Sequence, residues 1–172
     1  MGRRDMRILG IDPGLAIVGW AVLDSDRGRL QPVAFGAITT PAHTDIEARL
    51  LIIKEDLETL IDKYHPDEMA IEELFFNTNI TTGIAVAQAR GVILCTAHAK
   101  GVKISEYTPL QVKQAVVGYG KAEKHQVIAM VTSILKLKSP PKPDDTADAV
   151  AIAICHSQCR GSAMGKYFNQ RT

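Results

Sequence analysis

Residues 7–39 read RILGIDPGLAIVGWAVLDSDRGRLQPVAFGAIT. The apolar run Arg7–Asp12 is ended by Pro13-Gly14 and predicts a buried strand. Ile17–Leu23 predicts a second strand, and the turn Asp26-Arg27-Gly28 leads to a third at about Leu30–Thr39. Turns this short join antiparallel neighbours, so the three strands form a meander.

Downstream the period changes. From Thr44 to Tyr64 the apolar residues are Ile46, Leu50, Ile53, Leu57, Leu60, Ile61 and Tyr64, whose spacing gives one helical face. His65-Pro66 stops that helix. Glu68–Glu72 predicts a strand, Ile80–Lys100 a largely apolar helix closed by Gly101, and Val102–Tyr107 another strand. Thr108 reads as an N-cap with Pro109 at the first helical position. Gly118 and Gly120 interrupt before a helix from about Ala122 to Leu137. A proline-rich loop, Lys138–Pro143, precedes the last helix, about Asp144–Cys159. Strands joined first by hairpins and then through helices require a mixed sheet. The expectation is an α/β fold: one domain over residues 1–172, with a mixed five-stranded sheet flanked by helices. Residues 1–5 and about 160–172 are expected to be loosely held, and Met6 is an equally plausible start.

The hydrophobic fraction of 46% and charged fraction of 23% are those of a soluble globular chain and exclude disorder as the default. Net charge is only +1, but it is unevenly spread. Residues 44–73 carry ten acids against three bases; residues 100–142 carry eight lysines against two acids. That pattern suits either two solvated faces of opposite sign or a phosphate-binding surface. Cys95, Cys155 and Cys159 make an odd count without a CxxC pair, which fits reduced thiols in a cytosol. Cys155, His156 and Cys159 lack a fourth zinc ligand and read as packing and surface residues. No apolar run approaches the ~20 residues that span a bilayer.

Four acids stand where stability alone would not place them. Asp12 ends the first strand, where Pro13 favours extended backbone and Gly14 permits a sharp turn. Glu72, with Glu73 beside it, ends the strand Met69-Ala70-Ile71; Asp12 and Glu72, each taken alone, also read as strand-end acids facing water. Asp145 and Asp148 are three apart at a helix start and project from one face. Asp144 and Asp145 are also explicable as capping or first-turn acids. Asp148 is not, because Ala147 and the run Ala149–Ile154 make that helix apolar nearly all round, and such helices are buried. A carboxylate there needs something positive against it. Carboxylate oxygens suit Mg²⁺ or Mn²⁺, and two such ions can clamp a phosphodiester during in-line displacement.

The motifs Gly10-Ile11-Asp12-Pro13-Gly14, Ala70-Ile71-Glu72 and Gln88-Ala89-Arg90-Gly91 resemble the RuvC Holliday-junction resolvases. So do Gln111-Val112-Lys113-Gln114, Val117-Gly118, Ala122-Glu123-Lys124 and Asp145-Thr146-Ala147-Asp148-Ala149. The first motif alone is shared with sugar kinases and actin-like ATPases; the ordered set from about Met6 to His156 is specific. The resemblance implies an RNase H-like fold and an endonuclease of recombination and repair that makes paired symmetric nicks in four-way DNA junctions. It implies Asp12, Glu72, Asp145 and Asp148 as catalytic and metal-binding acids, selecting Glu72 over Glu73 and leaving Asp144 outside. Two Mg²⁺ ions per site are implied, with Mn²⁺ able to substitute. Phe75, with Phe76 next to it, falls where the family stacks an aromatic on opened bases, although the pair also reads as core packing, and Lys113 and Lys124 fall where it binds phosphates. A homodimer, cooperation with the RuvA–RuvB branch-migration complex, and a bacterial cytoplasmic location at the nucleoid are implied as well.

Overall fold

Strand β1 (Met6–Asp12) is the middle strand of a five-stranded sheet, in a computed structural model that describes residues 6–73 and 80–160. Its neighbours are β2 (Ile17–Asp26) on one side and β4 (Glu68–Glu72) on the other, with β3 (Arg29–Thr39) and β5 (Lys103–Tyr107) at the edges. The hairpin-linked β1, β2 and β3 pair antiparallel. The crossover-linked β4 pairs parallel with both β1 and β5. The sheet is mixed, as the spacing of turns and helices predicts. Phe75, Phe76 and the two chain ends other than Arg160 lie outside the described residues.

The helices divide by the two-residue alternation of the strands. Leu9 and Ile11 of β1, with Met69 and Ile71 of β4, pack against α1 (Ile46–Tyr64) and α2 (Ile80–Ala99). Ile8 and Ala70 face the other way, onto α3 (Pro109–Val117), α4 (Lys124–Ile134) and α5 (Asp144–Arg160). Local signals set several ends. Thr108 Oγ1 accepts from the Gln111 backbone N–H at 3.1 Å, and Gln111 Oε1 accepts from the Thr108 N–H at 2.8 Å, a reciprocal cap on α3. Helix α4 is shorter than the predicted Ala122–Leu137. Glu123 caps its start in extended geometry, and Lys136, at φ 51°, turns the chain out just past its end.

Helix α5 is buried along most of its length, so its polar groups must find partners inside the protein. His156 does so, with Nδ1 2.8 Å from the Tyr107 hydroxyl and Nε2 2.8 Å from Glu68 Oε2. Arg160 Nη2 completes the cluster at 3.1 Å from Glu68 Oε1. Cys155, His156 and Cys159 are therefore all interior, which corrects the expectation that some of them face solvent.

Two glycines let α5 lie this close. A Cβ on Gly10 would stand 2.2 Å from the Ala149 carbonyl oxygen, and one on Gly19 1.9 Å from that of Asp145. Neither contact tolerates a side chain, and both partners are backbone that cannot swing aside. Thr146 Oγ1 adds a tether, donating to the Gly36 carbonyl on β3 at 3.0 Å. Gly19→Ala should therefore lower unfolding free energy by about 3 kcal/mol in urea denaturation, at the upper end for overpacking. Gly91→Ala, in α2 with nothing within 4 Å of the added methyl, should leave stability unchanged or raise it by up to ~1 kcal/mol.

Candidate active site

The alternation that sorts the core also aims the acids. Asp12 shares the face of Ile8 and Gly10, and Glu72 that of Glu68 and Ala70, so both point toward α5. The register Ile11↔Ile71 sets their strand ends side by side. Glu73 is one residue on, where the alternation points to the opposite face, and it is exposed. Geometry thus separates Glu72 from its neighbour without any appeal to resemblance.

Helix α5 brings the other pair. Asp145 is in its first turn, with its own carbonyl against Gly19, and Gly19 is the register partner of Asp12. Asp148 is one turn further on. It carries the positive partner its burial demands: Lys124 Nζ, at the start of α4, lies 3.1 Å from Asp148 Oδ2. The same ammonium is 3.7 Å from Asp144, which is exposed on the outer side of the helix. A crevice between α3, α4 and α5 is lined by Glu72, Lys113 and Asp148 together with Val112, Val127 and Ile152.

The electrostatics are those of negative charges crowded in a half-buried place. The Asp12 carboxyl is pushed up to about 8, first by burial and then by the charges of Glu72, Asp148 and Asp145, with Lys124 opposing. Glu72 is pushed up to about 7 by burial and by Asp148, against the pull of Lys113 and Lys124. Burial also raises Asp148, which the Lys124 hydrogen bond and charge offset in part. Burial works against the Lys124 ammonium, but Asp148, Asp144 and Asp145 outweigh it and raise its pKa.

The structure thus gathers six predicted site residues: Asp12, Glu72, Asp145, Asp148, Lys113 and Lys124. Phe75 and Phe76 lie outside the described residues. Among the described residues, no three His, Cys, Asp or Glu groups are close enough to form a ready-made metal cage. The donor chemistry nonetheless fits a hard cation: the acids offer only oxygen, and their mutual repulsion is what a divalent ion would relieve. Two further contributors stand outside the site residues that the sequence singles out. Gly19 interrupts an apolar strand, which hints at close backbone approach. Arg90, the one charged residue in the sequence of α2, donates from Nε to the Glu72 carbonyl at 3.3 Å and pairs with Glu106.

A stability profile follows from the sign of these shifts. Both acids hold a proton in the folded state, between about pH 4 and their raised pKa values, that the unfolded chain has lost. This contribution is fully present below the ordinary carboxylate range and is lost progressively as pH rises from about 4 to the raised values of about 7 and 8. In metal-free buffer the melting temperature should fall over that window. Asp12→Asn, which removes the dominant charge, should melt a few degrees above the unsubstituted chain at pH 8.5 and no higher at pH 4. Calorimetric melts with a chelator present check both points.

Comparison with known proteins places this geometry. The family profile described as crossover junction endodeoxyribonuclease RuvC matches residues 8–156. A crossover junction endodeoxyribonuclease RuvC of Brevibacillus brevis is 55% identical over 155 residues, covering 90% of this chain and 93% of that protein. Its counterpart in Clostridioides difficile is 53% identical, covering 88% and 90%. Among solved structures, T. thermophilus RuvC in complex with a Holliday junction substrate superimposes with a TM-score of 0.83 at 33% identity, over 88% of this chain and 93% of that one. The chain belongs to the crossover junction endodeoxyribonuclease RuvC family.

Proposed function

We propose that the chain resolves four-way DNA junctions in recombination and repair, by paired nicks made at the site of Asp12, Glu72, Asp145 and Asp148. The observation that carries this reading is the convergence of four acids from β1, β4 and α5, with two lysines beside them, in a member of a metal-dependent nuclease family. The acids supply oxygen ligands for two Mg²⁺ ions, with Mn²⁺ able to replace them. Such ions, when bound, lower the pKa of the attacking water and neutralise charge on the departing 3′ oxygen. Lys113 and Lys124 hold phosphates next to the scissile bond, and Lys124 meanwhile pairs with Asp148 and offsets part of the burial that raises its pKa.

Phe75 and Phe76, directly after the catalytic strand, stack on bases at the opened crossover, an interaction that tolerates any sequence. The chain works as a homodimer, whose two-fold axis matches the approximate symmetry of the junction and yields two nicks in opposing strands. Junction selection comes from shape and deformability rather than base edges. A bacterial cytoplasmic setting and cooperation with RuvA–RuvB complete the proposal. Among the described residues no helix is long and apolar enough to cross a membrane.

The test is cleavage of a synthetic four-way junction beside a linear duplex of matching sequence, with and without Mg²⁺. The junction should be cut only with Mg²⁺, and the linear duplex should be cut far more slowly or not at all. Glu72→Gln and Asp148→Asn should bind the junction normally while cleavage falls by about 10²–10³-fold or more. Equal cutting of both substrates would remove the junction preference. Full activity in both variants would remove the site.

A further inference from the structure

Helix α2 reads ITTGIAVAQARGVILCTAHA, and Arg90 is the one Lys, Arg, Asp or Glu in it. The Arg90 side chain is largely buried, at 15% exposure, which is a costly place for a charge that serves only as filler. Its guanidinium is used at both ends of the fork. Nε donates to the Glu72 carbonyl at 3.3 Å, and Nη2 pairs with the Glu106 carboxylate on β5. The location matters because the sheet is running out there. The β1 register ends at Ile71, so Glu72 keeps a strand neighbour only on the β5 side. Beyond it, the Glu73 N–H still reaches the Tyr107 carbonyl at 2.8 Å. Arg90 therefore supplies, from the opposite face of the sheet, a donor to the last residue of the strand.

We propose that Arg90 is the positioning residue of Glu72: it fixes the backbone from which that carboxylate is aimed, and so sets how tightly the acid site holds a divalent ion. The inference rests on Glu72 being one of the metal-holding acids. The Arg90 fork is engaged by the Glu72 carbonyl and the Glu106 carboxylate, so it acts through the Glu72 peptide and not as a ligand. A guanidinium can reach a carbonyl and a carboxylate together because its donors diverge in a fixed plane, which the single ammonium of lysine does not reproduce.

The test uses the full chain with Arg90→Gln and Arg90→Lys, each alone and combined with Glu72→Gln. Metal binding is read without catalysis, as the Mn²⁺ concentration giving half of the maximal rise in melting temperature. Junction affinity is read in Ca²⁺, and single-turnover cleavage against Mg²⁺ concentration. Arg90→Gln should shift the Mn²⁺ and Mg²⁺ midpoints upward by roughly 10-fold, in the range for removing a group that orients a metal ligand. Junction affinity should stay within about twofold by the same reasoning, since the guanidinium is occupied by the Glu72 carbonyl and Glu106. Arg90→Lys keeps the charge and the packed stem, so it should fold with an unchanged metal-free melting temperature and still shift both midpoints. In the Glu72→Gln background neither Arg90 substitution should add anything.

A wild-type Mn²⁺ midpoint in Arg90→Lys, or an Arg90 effect undiminished in the Glu72→Gln background, would overturn the proposal while leaving the active-site assignment intact. If Glu72→Gln by itself leaves the Mn²⁺ midpoint unmoved, the assignment of Glu72 fails and the role of Arg90 fails with it.

Discussion

The seat of α5 on β1 and β2 is the constraint from which the rest of the site follows. Gly10 and Gly19 lack the atoms that would hold the helix off, and the carbonyls of Ala149 and Asp145 occupy the space a Cβ would need. With the helix that close, its first two turns stand over the end of β1, and Asp145 and Asp148 come within electrostatic reach of Asp12. A bulkier strand would still bury the helix. It would not deliver those two acids to that place.

What is assembled there works against stability. Of the four gathered carboxylates, Asp12, Glu72 and Asp148 stand where burial and like charge both disfavour ionisation, and the first two are raised well out of their ordinary range. Lys124 and Lys113 relieve part of this, and their incomplete compensation leaves the site short of positive charge. Groups held against their own solvation and against one another are a recurrent mark of functional sites. Here the deficit is of the sign that a hard cation or a phosphate-bound ion would correct.

Much of this was legible in the sequence for physical reasons. Hairpin spacing, helical periodicity and proline stops are local, and they predicted the succession of elements along the chain and the mixed sheet closely. Asp148 was legible because a charge in an all-round apolar helix demands a partner, although only the fold identified that partner as Lys124. The choice of Glu72 over Glu73 needed either resemblance or strand alternation in three dimensions, since both sit at the same strand end. Gly19 and Arg90 were harder. Close approach depends on which helix crosses which strand, and a hydrogen bond to a main-chain carbonyl leaves no pattern in the partner residue. The buried place of His156 was not legible for the same reason: its partners Tyr107 and Glu68 lie 49 and 88 residues away.

The central claim is that these four acids, and not their immediate neighbours, form one metal site. Its most direct test is Mn²⁺ binding to the junction complex, titrated for six single variants against the unsubstituted chain. Asp12→Asn, Glu72→Gln, Asp145→Asn and Asp148→Asn should each lose bound Mn²⁺, whereas Glu73→Gln and Asp144→Asn should retain it in full. Full retention in any of the first four, or loss in either of the last two, would contradict the account.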